Sequence, residues 1–239
     1  MIELSVVRDI RKAPIIQHGS RLDKSAGELR KQVIGQGRFG RRCYFCDFAF
    51  GTTDSFDIHN LDGDHTNNEL ENLVPVCELC HAPFHLDTVS KKWPSDPGKI
   101  VFLPELTQVQ LNNLLQVIFY CMAMQSAAVV VGPEQVGSST GEAFNPHTVY
   151  RRITDRAHQV EMNPKGETVR KGLSDPLVCS RLLLDMSDEE YGQRGALLGG
   201  CRYVPGADYF IQQAGMWNGN GASFSRLDLA AWPGVAGVS

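Results

Sequence analysis

Two Cys-x-x-Cys pairs, Cys43/Cys46 and Cys77/Cys80, separated by thirty residues, constrain this chain more than any other feature. Each pair turns two sulfurs toward one point, and two pairs complete the tetrahedral set of a closed zinc site. Such a site has no open position, so it builds structure and does not polarise a substrate. The expectation is one structural Zn2+ held by Cys43, Cys46, Cys77 and Cys80. Two unrelated surface thiol pairs are the weaker reading, because the segment between them carries folding signals of its own.

Cys121, Cys179 and Cys201 stand singly in what read as apolar helical contexts, and are expected to be small buried hydrophobes. Seven cysteines is an odd number. With no secretory leader at Met1-Ile2-Glu3-Leu4 and no apolar run long enough to span a bilayer, the chain reads as cytosolic with reduced thiols. At 239 residues it can bury one sizeable core with an annexe, and a formal charge of −4 gives no global attraction to nucleic acid or anionic lipid.

Along the chain, Ile2 to Val6 alternates like a strand, and Ser25-Ala26-Gly27-Glu28 reads as a capping box opening a helix that fails near Gly35, Gly37 and Gly40. Phe48, Phe50, Phe56 and Ile58 suggest a hairpin, the stretch Leu61 to Asn68 is rich in turn residues, and Leu70 and Leu73 are expected to begin a helix carrying the second cysteine pair. Lys99 to Leu103 predicts a strand. Thr107-Gln108-Val109-Gln110 caps the cleanest helix, with Leu111, Leu114, Leu115, Ile118, Phe119 and Met122 forming one buried face. From Val131 to Pro146 the composition turns to Gly, Ser, Thr, Pro and Glu and reads as a loop or linker. Helices follow over Pro146 to Met162, Ser174 to Met186, from Ser187, and over Ala207 to Trp217. The fold class is therefore α+β, a zinc-stapled module surrounded by helices. Its parts are 1–124 (N-terminal strand, zinc module, following helix), a flexible 125–146, and a helical 147–239 packing on the module.

The zinc segment also spells, in order, the letters of a ββα-metal (HNH) endonuclease: His59 at the end of the presumed second hairpin strand, Asn72 before the helix, and His81 directly after Cys80. In an active nuclease of that kind the first histidine activates water, and a metal held by an acid and the last histidine stabilises the phosphoryl transition state. Here Ile58 occupies the place before His59, and Asp57 is expected to point to the opposite strand face. His65 offers a second Asp-His pair with Asp64, but its surroundings read as a turn, with Asp62 and Asp64 making Asx-turns and Asn72 bracing the loop through its amide. Between Arg41 and Ser90 two basic residues stand against nine acidic ones, a net −7 that works against binding to phosphates. Arg151, Arg152 and Arg156 form a basic cluster on a predicted helix, read as a solvated face or as a site for an acidic segment.

The run Leu61-Asp62-Gly63-Asp64-His65-Thr66-Asn67-Asn68-Glu69-Leu70-Glu71-Asn72-Leu73, framed by the two cysteine pairs, closely resembles the IcmJ/DotN family of type IVB secretion and conjugation systems. Leu103-Pro104-Glu105-Leu106-Thr107-Gln108 with Leu111-Asn112, and Ser174-Asp175-Pro176, look like signatures of the same family. The resemblance implies a zinc-containing, HNH-like adapter that does not cut. Its partner would be the C-terminal segment of a VirD4-type coupling ATPase, DotL in the secretion systems, together with other coupling-complex subunits. It implies location at the cytoplasmic face of the inner membrane through that partner, no direct contact with nucleic acid, and zinc ligands at Cys43, Cys46, Cys77 and Cys80. His59, Asn72 and His81 would then be relics without catalytic duty. The competing readings are a metal-dependent HNH endonuclease acting on DNA and a zinc-ribbon DNA binder.

Overall fold

The computed structural model describes residues 2–9, 24–52, 56–127, 145–163 and 165–225. Ten helices and four strands of four residues each are built from them: α1 (Lys24–Gly35), β1 (Asp57–Asn60), β2 (Leu73–Val76), α2 (Glu78–His81), α3 (Leu86–Lys92), β3 (Lys99–Phe102), α4 (Gln108–Ala127), α5 (Pro146–Thr154), α6 (Ala157–Glu161), α7 (Pro176–Asp185), α8 (Asp188–Gly192), α9 (Arg194–Leu197), β4 (Cys201–Val204) and α10 (Ala207–Ala214). The architecture is a mixture of helices and two small antiparallel sheets, β1 with β2 and β3 with β4.

The first sheet corrects the sequence reading. Leu70 to Asn72 form a single 3-10 turn, and Leu73 begins a strand, not a helix. Leu70 and Leu73 have helical spacing, yet Leu73-Val74-Pro75-Val76 is an apolar run buried on both faces, which favours a short internal strand over a helix with Pro75 inside it. His59 consequently lies on the first strand of the hairpin, opposite Val74, and Ile58 pairs with Pro75. One face of the hairpin is covered by α1, where Val33 meets Ile58 and Leu73. Helix α1 already includes Lys24, so Ser25 stands within it.

The second sheet joins distant parts of the chain, Lys99 opposite Val204 and Phe102 opposite Cys201. Gly98 enters it with φ of 85°, and a Cβ there would run into the Val204 carbonyl. Cys201 thus sits on a strand, not in a helix, whereas Cys121 and Cys179 are buried in α4 and α7.

Helix α4 packs against α10, α5 and α2, and its first turn bonds to β4 through Gln108. The predicted cap forms reciprocally: Thr107 N–H donates to Gln110 Oε1 at 2.9 Å and Gln110 N–H to Thr107 Oγ1 at 3.2 Å. Leu111, Leu115, Ile118, Phe119 and Met122 are buried as expected, but so are Tyr120, Cys121 and Ala123. The helix is central rather than one-sided, because the ring stack of Tyr120 on Phe224 (4.4 Å) covers its far side. Phe119 stacks on Phe210 of α10 at 5.6 Å and meets Tyr150 of α5 at 5.7 Å.

The expected helix from Pro146 to Met162 is two, broken at Asp155 and Arg156. Asn145 caps the first through its side chain, Asp175 caps α7 with Pro176 at its start, and the Ser187/Glu190 capping box of α8 forms in full. Residues 2–6 run as an extended strap without becoming a strand. Ile2, Leu4 and Val6 are buried, while Ser5 N–H donates to the Pro83 carbonyl (2.9 Å) and Leu86 N–H to that of Ser5 (3.1 Å). The loop or linker read over 131–146 lies outside the described residues up to position 144, as does Trp232.

Candidate metal centre

The first Cys-x-x-Cys forms a tight knuckle. Asp47 N–H donates to the Cys43 carbonyl and Cys43 N–H to the Phe48 carbonyl, both at 2.9 Å. Asp47 sits at φ of 60°, a left-handed conformation that aspartate tolerates better than most residues, and its carboxylate is gripped by Arg42 at 2.6 Å through two nitrogens. The second pair straddles the start of α2, with Cys77 as its N-cap and Cys80 fully buried inside it. Tyr44 N–H donates to the Pro75 carbonyl at 2.9 Å, pinning the knuckle to the hairpin.

The four sulfurs of Cys43, Cys46, Cys77 and Cys80 all lie within 4.8 Å of one another, with Cys46 and Cys77 3.6 Å apart. Around a tetrahedral ion with bonds of 2.3 Å, sulfurs sit about 3.8 Å apart, so the set can hold a metal ion. Burial works against a charge on Cys43, but hydrogen bonds from Cys46, Cys77 and Cys80 outweigh it and hold that thiol far below its ordinary range. Burial first, then the other three sulfurs, push Cys77 far above it. A cation among the four sulfurs is what lets them ionise together.

Sequence reasoning missed what surrounds the sulfurs. Gln108, Asn112 and Gln116 form a buried polar stripe on α4 at intervals of four. Asn112 Nδ2 donates to Cys80 Sγ at 3.2 Å and to the Leu79 carbonyl at 3.0 Å, and Gln116 Nε2 reaches Cys46 Sγ at 3.4 Å. Gln108 Nε2 donates to Asn112 Oδ1 at 2.9 Å and to the Tyr203 carbonyl at 2.8 Å, and so relays the contact to β4. Three amides at i, i+4 and i+8 on one face of a largely apolar helix were the available signal.

Beside this cluster the structure gathers histidines. Asp57 and His59 are two residues apart on β1 and share a face, so the expectation that Asp57 points away is wrong: alternation sends Ile58, not Asp57, to the opposite side. Asp57 Oδ2 lies 3.0 Å from His81 Nδ1 and 3.7 Å from Lys92 Nζ. Burial alone would raise the Asp57 carboxyl, but the Lys92 charge and the His81 hydrogen bond hold it well below the usual carboxylate range. Burial, with the neighbouring rings of His81 and His65, brings His59 down to about 3. His85, at the cap of α3, is pushed well below the ordinary histidine value by burial and then by His81, His65 and His59.

Asn72 stands apart from these rings. Its Nδ2 donates to Asp62 Oδ1 and to the Asn67 carbonyl, each at 3.0 Å, and its Oδ1 accepts from Asp62 N–H, so it braces the turn-rich loop as expected. Asp62 and Asp64 make the expected Asx-turns, accepting from Asp64 N–H at 2.8 Å and Thr66 N–H at 3.0 Å. Of the three letters read in sequence, His59 and His81 come together, with ring centroids 5.6 Å apart, and Asn72 does not join them.

Fold and site together define a mixed helix-and-sheet domain carrying a four-cysteine cluster that could hold a metal ion. No family model matches the chain. It is 29% identical over 197 residues to the type 4 apparatus protein DotN of Legionella pneumophila subsp. pneumophila, covering 82% of this chain and 81% of that protein. This match supports the IcmJ/DotN family. Among the described residues no helix is long and apolar enough to cross a membrane.

Proposed function

We propose that this chain is a non-catalytic, zinc-containing adapter of a type IVB secretion or conjugation coupling complex. In this reading it binds the C-terminal extension of a VirD4-type, DotL-like ATPase, helps recruit substrates, and is held at the cytoplasmic face of the inner membrane by that partner. The observation that carries the reading is the match to a type 4 apparatus protein across about four-fifths of both chains. The ion is zinc, bound by Cys43, Cys46, Cys77 and Cys80, since four thiolates in a closed tetrahedral set are the ligand chemistry of structural zinc.

The module around the hairpin and α2 is read as a degenerate HNH fold. An effective general base titrates near the working pH, whereas His59, buried and at about 3, is too weak a base for that task. The excess of acidic residues between Arg41 and Ser90 disfavours a phosphate backbone in the same place. The nuclease reading draws on one observation, that Asp57 does reach His81 from the face shared with His59.

Calorimetry with the purified chain and an isolated C-terminal segment of its cognate coupling ATPase tests the adapter. The expected result is a stable complex whose affinity falls only modestly with salt, because apolar anchors dominate. No heat and no co-elution at micromolar concentration would overturn it. Plasmid nicking with Mg2+ or Mn2+, abolished by His81→Ala, would put the nuclease reading in its place.

A further inference from the structure

We propose that the cavity enclosed by the N-terminal strap, the first turn of α4, α9 and β4 is a binding site for a small oxyanion of the phosphate class. Its volume is about 120 Å3, and neither the four clustered cysteines nor any histidine lines it. At about 30 Å3 per water in the liquid, that is room for about four waters, or for one phosphate in their place. The wall carries two guanidiniums, Arg194 from α9 and Arg202 from β4, against one carboxylate, Glu3 of the strap.

Arg202 is a cation held in place without an anion. Its Nε donates to the Leu106 carbonyl at 2.6 Å and its Nη1 to the Cys201 carbonyl at 2.7 Å, and among the described residues it makes no ion pair. Burial, only partly offset by Cys201, holds it below the ordinary arginine range. A guanidinium fixed by two carbonyls is a ready fork for an oxyanion. Arg194 is committed on one side only: Nη1 donates to the Tyr191 carbonyl at 3.0 Å and the group lies 4.4 Å over the Tyr191 ring, while Nε is buried without a hydrogen-bond partner. Buried donors are almost always satisfied, so this one calls for an acceptor. Thr107 and Gln108 bring to the same cavity the start of the 20-residue α4, which has no acidic side chain in its first turn to meet the positive end of the helix.

Glu3 is the resident counter-ion and the ligand's competitor. Its Oε2 lies 3.3 Å from Arg194 Nη2, a long contact, and its side chain is 38% exposed, so it is free to turn into solvent when a stronger anion enters. It rests against Gly195, where a Cβ would come within 2.5 Å of Oε1 and push the carboxylate away. One carboxylate charge reaches Arg194 alone, whereas the two charges and several oxygens of phosphate serve both guanidiniums at once. The exposed rim at Glu3 leaves the rest of a phosphoryl compound room outside the cavity. This site stands independently of the adapter reading.

The test titrates the full chain, in chloride buffer of constant ionic strength, with inorganic phosphate and separately with glycerol phosphate, and follows the NMR signals of the arginine Nε–H groups. Those of Arg194 and Arg202 should move and saturate, and chloride alone should leave them in place. Tighter binding of the ester would make the natural ligand a phosphoryl compound; tighter binding of the free ion would make it phosphate itself. Arg202→Ala should weaken binding by about tenfold or more, as loss of a hydrogen bond to a charged group does, and Glu3→Gln should tighten it about fivefold by removing a like charge. Glu3 is on the rim, so this second variant decides the matter should Arg202→Ala fail to fold. Signals that follow phosphate no further than chloride, wild-type affinity in a folded Arg202→Ala, or unchanged or weaker binding in Glu3→Gln would each overturn the site.

Discussion

Between residues 24 and 92 the strands have four residues each and α2 also has four, whereas from β3 onward the chain is organised round the 20-residue α4. In the first region the hairpin, the knuckle and α2 are short, and besides buried apolar groups such as Val74, Val76 and Leu79 they meet through sulfur, imidazole and carboxylate groups. The second region meets through rings and aliphatic side chains: Phe119 on Phe210, Leu115 and Ile118 fully buried. Short elements need a cross-link that a long helix does not. The difference separates stability that depends on an ion from stability that depends on packing.

The sharpest way to break this contrast is Cys80→Ser. Loss of one of four ligands should cost most of the metal's folding free energy, which is on the order of 10 kcal/mol for small thiolate sites, and yield metal-poor, protease-sensitive protein. Elemental analysis and limited proteolysis check this; a variant with full metal content and unchanged protease resistance would erase the distinction. Acidification acts in the same direction. As pH falls the thiolates take up protons and release the ion, so metal content should drop on the acid side and never on the basic side of neutrality.

Phe119→Ala belongs to the other regime. It opens a cavity between α4, α5 and α10 and should cost about 3–5 kcal/mol in denaturant unfolding while the metal stays at its wild-type content. Metal loss in the folded variant would show that the regions are not separable in this way.

Asn112→Ala tests the seam between them. It leaves the Cys80 sulfur and the Leu79 carbonyl without their donor and removes the acceptor for Gln108, an expected loss of about 1–3 kcal/mol together with faster metal release to a chelator. A change in stability without a change in release rate would place Asn112 with the packed region alone. The smallest effect is expected from Ser187→Ala at the cap of α8, about 1 kcal/mol by thermal melting with metal content untouched.

The same contrast decides how much the sequence revealed. Helices α4, α7 and α8 were legible because Thr107, Asp175-Pro176 and Ser187 with Glu190 announce their starts through local chemistry. The four cysteines were legible as a set because their spacing is itself the geometry. Strand β2 was not, since Leu73 to Val76 is buried on both faces and shows no alternation, and β4 was not, since its partner lies about a hundred residues upstream. His85 and the amides of Asn112 and Gln116 went unread because only the packing of α2, α3 and α4 makes them neighbours of the site.

The four sulfurs are unequal in shelter. Cys43, Cys77 and Cys80 are buried, and Cys46 is partly open to solvent. Peroxide approaching from outside therefore meets Cys46 first, and a sulfenic acid formed there would have the Cys77 thiol 3.6 Å away as a partner. Oxidative damage would then stitch the first knuckle to the second and expel the ion in the same act, turning the module's own staple into the mark of its failure.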